Sequence, residues 1–146
     1  MPQMRGLRSQ EPWYLSNAGK EEKKNSPLRM VAGHDKVVAL LLEHPRVDPS
    51  ADDNQAIRCA SKYGHDRVVA LLLEHPRVDP SADGNYAIRW ASEHGCDKVV
   101  ALLLEHPKVD PSADGNFAIR WASYYGHDKV VALLLKHPQV DPSVLH

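Results

Sequence analysis

The sequence predicts an all-α solenoid: stacked helix-turn-helix repeats with projecting loops. Two observations predict it. The phrase KVVALLLEHP at 36–45 returns at 67–76, 98–107 and 129–138 with at most one change, Arg67 for lysine and Lys136 for glutamate, each time 31 residues after the last. A fixed period of roughly 20–50 residues is the signature of stacked repeats. The phrase also carries more apolar surface than one helix can hide alone. Val99, Val100, Leu102, Leu103 and Leu104 cover more than half of a helix, which must therefore be buried on several sides by neighbouring copies.

The unit at 83–113 illustrates each element in order. Asp83-Gly84 reads as a tight-turn pair, with the glycine free to take positive φ. Asn85 is a favourable N-cap, and a short first helix follows over 87–93 with Ile88 and Ala91 on one stripe. Gly95 ends that helix. Asp97 puts a carboxylate in the first turn of a second helix, where the dipole favours it. His106 stops the second helix, because a residue preceding proline is pushed out of the α region. Leu72, Leu103 and Leu134 share one column and should face neighbouring helices.

The pattern divides the chain into an arm at 1–25, disordered or loosely packed, and a repeat array at 26–146. A partial first repeat at 26–51 precedes full repeats at 52–82, 83–113 and 114–144. In the arm Trp13, Tyr14 and Leu15 form the one sticky cluster; packing on the first repeat and a docking motif are both open for it. The last repeat keeps the interior apolar pattern at Val130, Val131, Leu133, Leu134 and Leu135, so fraying or end-to-end self-association is expected there.

Composition narrows the function. Residues 1–30 carry a net charge of +3 and the remainder −4, a balance unsuited to phosphate-backbone binding, so no nucleic-acid partner is expected. No signal-peptide pattern follows Met1, and no apolar run approaches a membrane span. Two cysteines, Cys59 and Cys96, at non-equivalent repeat positions suit a reducing, intracellular and cytoplasmic setting.

Nine histidines invite a metal reading, but His44, His75, His106 and His137 recur one whole repeat apart, as do His34, His65 and His127. Zinc ligation needs nitrogens about 2.0–2.1 Å from one ion, so capping or loop-bracing is expected and neither metal nor other cofactor is. Serine, histidine and aspartate occur in every copy and no elbow or phosphate loop surrounds any of them, so the chain is not read as an enzyme and no small-molecule substrate is expected.

A turn at Asp83-Gly84, a short helix, Gly95 and a helix reading Val-Val-Ala-Leu-Leu-Leu together resemble the ankyrin repeat. The variant with Ala-Ile-Arg-Trp-Ala-Ser and Val-Asp-Pro-Ser-Ala is similar to arrays abundant in large DNA viruses and amoebae. The family's Thr-Pro-Leu-His opening is Tyr86-Ala87-Ile88-Arg89 here, and Arg89 is expected to replace the histidine by reaching loop carbonyls. Its Gly-His pair is kept at Gly33-His34, Gly64-His65 and Gly126-His127 and becomes Gly95-Cys96. Pro80 and Pro111 each remove a ladder donor, so the loops should pair poorly as β-hairpins.

What the resemblance implies about function is binding to a partner protein through the concave loop and helix-one face. Several of the columns that change between copies fall there and hold aromatics; drift of near-duplicate repeats at exposed sites is the alternative origin of that variation. Tyr63, Tyr86, Trp90, His94, Phe117, Trp121, Tyr124 and Tyr125 are the candidate partner-binding residues. Trp90 and Trp121, beside Ile88 and Ile119, should be partly core, whereas Tyr86 and Tyr125 should be removable without loss of stability. The rival reading is a spacer or fragment of a larger repeat assembly with no partner of its own.

Overall fold

The computed structural model describes residues 34–145. Seven helices and a terminal 3₁₀ turn make up the described chain: α1 (Asp35–Leu42), α2 (Ala51–Lys62), α3 (Asp66–Leu73), α4 (Ala82–Glu93), α5 (Asp97–Leu104), α6 (Ala113–Tyr124), α7 (Asp128–Leu135) and the turn Pro142–Leu145. The arm at 1–25 and the first-helix part of the partial repeat lie outside the described residues. No strand is formed among those described, as expected of loops interrupted by Pro49, Pro80 and Pro111.

The even-numbered helices are the first helices of their repeats and stack on one another: α2 on α4, α4 on α6. The second helices stack in a parallel file, α1 on α3, α3 on α5 and α5 on α7. Between the two files runs one continuous core. Ile57, Ile88 and Ile119 enter it from the first helices and Leu72, Leu103 and Leu134 from the second, all fully buried. Ala60, Ala91 and Ala122, also fully buried, keep the first helices close, since a small side chain is what lets neighbouring backbones approach.

The loops hold an unusual backbone. Asp83, Gly84 and Asn85 all lie in the left-handed region, at φ/ψ of 57/52°, 61/40° and 62/39°. The same three-residue turn recurs at Asp52, Asp53 and Asn54 and at Asp114, Gly115 and Asn116. A left-handed conformation costs a β-carbon-bearing residue about 1–2 kcal/mol, and glycine, asparagine and aspartate are the residues that tolerate it. Those are the only residue types used at these nine positions. A backbone bond closes each turn, from Asn54 N–H to Ser50 O at 3.0 Å and at 2.9 Å in the next two repeats.

Asparagine's role differs from the N-cap expected. The Asn85 side chain makes no cap; its Oδ1 accepts the Asp110 N–H of the following loop at 2.8 Å. Asn54 takes the Asp79 N–H at 2.8 Å and Asn116 the Asp141 N–H at 3.2 Å. The loop is therefore fastened to its neighbour by a side chain rather than by a β-ladder.

The link from first to second helix is equally specified. Gly95 has φ 76°, with Cys96 N–H donating to Ala91 O and Gly95 N–H to Ser92 O, a Schellman ending. Asp97 N–H then donates to Gly95 O at 2.9 Å, a three-residue turn that starts α5 at once. A β-carbon on Gly95 would stand 2.6 Å from the His127 ring of the next repeat. The position thus needs glycine for both backbone and space.

Candidate protein-interaction surface

Each loop is braced before it presents anything. Ser81 donates its N–H and its hydroxyl to Asp79 Oδ1 at 3.0 and 2.6 Å. The hydroxyl bond, ahead of the backbone one, holds the Asp79 carboxyl below its ordinary value against the opposing effect of burial. Behind each left-handed turn an arginine gathers the carbonyls. Arg89 donates Nε to Gly84 O at 2.9 Å and Nη2 to Asp83 O at 3.2 Å, as expected of it. Arg58 does the same at Asp53 O and Asp52 O, and Arg120 donates Nη1 to Gly115 O at 3.2 Å.

These arginines also reach forward. Arg58 lies 3.6 Å from the Asp83 carboxylate and 5.2 Å above the Tyr86 ring. Arg89 repeats the arrangement on Asp114 and Phe117 at the same distances. Lys62 sits 5.4 Å over Trp90 and 5.5 Å over Tyr63. A cation above a ring face contributes about 0.5–1 kcal/mol at exposed sites and more when desolvated.

The rings themselves form a chain. Tyr86 lies 5.7 Å from Trp90, Trp90 lies 5.6 Å from Phe117, and Phe117 lies 6.0 Å from Trp121. Trp121 meets Tyr124 at 5.4 Å and Tyr125 at 6.0 Å, and these two tyrosines meet each other edge-on at 5.0 Å. His94 flanks Trp90 at 6.2 Å, its Nδ1 at 2.8 Å from Trp90 O. Tyr63 joins only through Lys62.

Seven of the eight sequence-selected residues are thus one contiguous ring network, and the eighth is a neighbour across a cation. Their exposure differs. Tyr63, Tyr124 and Tyr125 are 62%, 75% and 52% exposed, whereas Tyr86, Trp90, Phe117 and Trp121 are half-buried. For the tryptophans this was expected. For Tyr86 it corrects the expectation of a freely removable ring, because Arg58 and Trp90 pack on it.

With this geometry the comparison with known proteins is direct: the family model for ankyrin repeats in three copies matches residues 77–145. Residues 77–145 carry ankyrin repeats. No curated protein matches it significantly. The α2–α3 pair ahead of the matched residues has the same turn, stitch and arginine brace.

The histidine columns are occupied with backbone. His44, His75, His106 and His137 each accept, through Nδ1, the N–H two residues on, at 3.1–3.3 Å. His127 places Nε2 at 2.9 Å from Glu93 O of the preceding ankyrin repeat. Cys96, in the same column, keeps only a weak contact from Sγ to Lys62 O at 4.0 Å, and burial, with Asp97 nearby, pushes its thiol up. No group of three or more histidine, cysteine or acidic side chains among the described residues could hold a metal. No described helix is long and apolar enough to cross a membrane.

Sequence reasoning overlooked the cations on the rings. Arg58, Arg89 and Arg120 form an unchanging column three positions after one that becomes aromatic at Tyr86 and Phe117, and that coincidence was the available signal.

Proposed function

We propose that the chain is a non-catalytic scaffold that binds a partner protein through the loop and first-helix face of its ankyrin stack. Ankyrin repeats generally serve as protein-interaction modules, and the observation that supports this particular face is the ring chain from Tyr86 to Tyr125. The first helices contact one another more extensively along the stack than the second helices do. In this reading the closely stacked first helices let successive repeats address one ligand.

In this reading the half-buried rings and the cations above them hold the surface rigid. Tyr63, Tyr124 and Tyr125 then supply large aromatic area with few torsions to freeze, the property that enriches such residues among binding hot spots. Tyr63, Tyr86, Trp90, His94, Phe117, Trp121, Tyr124 and Tyr125 together are the proposed partner-binding set.

The test uses immobilised full chain and extract from its native cell. A partner retained saturably by the parent should be lost on Tyr124→Ala with Tyr125→Ala, each truncation costing about 2 kcal/mol, roughly thirtyfold in affinity. The melting midpoint should hold, because both rings are exposed. Undiminished retention by the double variant would move the working face elsewhere, and no saturable retention at all would favour the spacer reading.

A further inference from the structure

Two junctions inside the stack show the same recognition event. An arginine on one first helix meets an aspartate and, three residues after it, an aromatic ring of the next repeat: Arg58 with Asp83 and Tyr86, Arg89 with Asp114 and Phe117. Covered this way, the two arginine side chains are only 18% and 15% exposed. Arg120 is the third member of the column. It holds its own turn at Gly115 O through Nη1 alone, where the others use Nε and Nη2 on two carbonyls. It is exposed, and among the described residues no carboxylate pairs with it and no ring covers it. Leu145 stands 31 residues after Asp114, so the counter-ion position holds an apolar side chain.

Beside Arg120 is a cleft of about 400 Å³, lined by Arg120, Trp121, Ser123, Tyr124, Val144 and Leu145. That volume is within the range of about 300–1,000 Å³ usual for ligand sites. One wall is cationic, one is the Trp121–Tyr124 edge contact, and the floor is aliphatic. We propose that this end face of α6 docks a segment of a partner protein carrying an aspartate three residues ahead of a phenylalanine or tyrosine. The carboxylate takes the free guanidinium edge, and the ring lies under the guanidinium plane against Trp121. This is the pairing the chain makes twice with itself.

A second copy of the chain fits this face poorly. Its Asp83–Tyr86 and Asp114–Phe117 pairs are already held by Arg58 and Arg89, and its remaining equivalent, Asp52 to Gln55, offers a buried glutamine where the ring belongs. The site shares Trp121 and Tyr124 with the scaffold reading, but Arg120 belongs to this site alone, so Arg120→Ala separates the two.

The probe is a fluorescently labelled peptide, Ala-Asp-Gly-Asn-Phe-Ala-Ile, titrated with the full chain and followed by anisotropy. Saturable binding at or below millimolar concentration is expected, with at least a tenfold loss when the peptide's aspartate is made asparagine or its phenylalanine alanine. Arg120→Ala should weaken binding at least as much, Arg120→Lys should keep the charge and lose the stacking part, and Lys98→Ala should change nothing. Should Arg120→Ala perturb folding, the Trp121 indole N–H resonance of the parent must still shift on adding the peptide. Binding indifferent to Arg120 or to either peptide substitution overturns the proposal, as does no binding at millimolar peptide. So does a concentration-dependent dimer that Arg120→Ala abolishes, which would assign the face to a second copy.

Discussion

Substitution can separate the two tasks of Asn85. Its backbone sits at φ 62°, and its Oδ1 holds the Asp110 N–H at 2.8 Å. Asn85→Gly keeps the left-handed backbone and deletes the amide. A neutral hydrogen bond contributes about 0.5–1.5 kcal/mol net, and in this part-buried site we take about 1 kcal/mol for the loss. Glycine's added freedom in the unfolded chain costs up to about 1 kcal/mol more. Asn85→Ala loses the same bond and must also hold a β-carbon in the left-handed region, another 1–2 kcal/mol or so. The expected losses are therefore about 1–2 kcal/mol for glycine and about 2–3 kcal/mol for alanine. Asn116 is the internal control. Its bond to Asp141 is longer, 3.2 Å, and exposed, so Asn116→Gly should cost less than Asn85→Gly. Urea unfolding followed by circular dichroism reads the series as midpoint shifts at constant slope. If Asn85→Gly matches the parent, or Asn116→Gly costs more, the stitch does not hold neighbouring loops together.

Leu103 is fully buried and Leu40 is 67% exposed, so Leu103→Ala should lose about 2–5 kcal/mol and Leu40→Ala no more than about 0.5 kcal/mol by the same unfolding assay. Gly126→Ala meets open space and should cost only the strain of its positive φ, about 1 kcal/mol. Gly95→Ala must also displace the His127 ring and its bond to Glu93 O, so its melting midpoint should fall clearly further. Asp79 titrates below the ordinary aspartate value of 3.8 when folded, so its stabilisation is present above that value and is lost as the pH falls through the lower folded one. Unfolding midpoints from pH 7 downward should therefore hold until the acid limb, and Asp79→Asn should flatten that limb.

The second helices and the core were legible because apolar periodicity and a strict period are visible at any distance along the chain: Leu72, Leu103 and Leu134 lie where the pattern put them. Gly95 was legible as a helix end for the same local reason. Asn85 was misread because the short polar side chain that suits an N-cap also suits a left-handed backbone, and sequence alone does not say which property is in use. The aromatic columns were visible as variation between copies. Their burial was not, since the groups that cover Tyr86 and Phe117 come from the preceding repeat, Arg58 and Arg89, and are neighbours only after stacking.

The stitch from each asparagine always lands 25 residues ahead, on the aspartate that opens the next loop. Nothing in it depends on which copy is involved, so a duplicated or excised block of 31 residues would leave every junction able to close, whereas a gain or loss of any other length would strand one amide without its mate. Array length is in this sense a heritable variable decoupled from foldability: recombination between near-identical copies can lengthen or shorten the molecule in whole steps, and selection can then act on the changed loop positions alone.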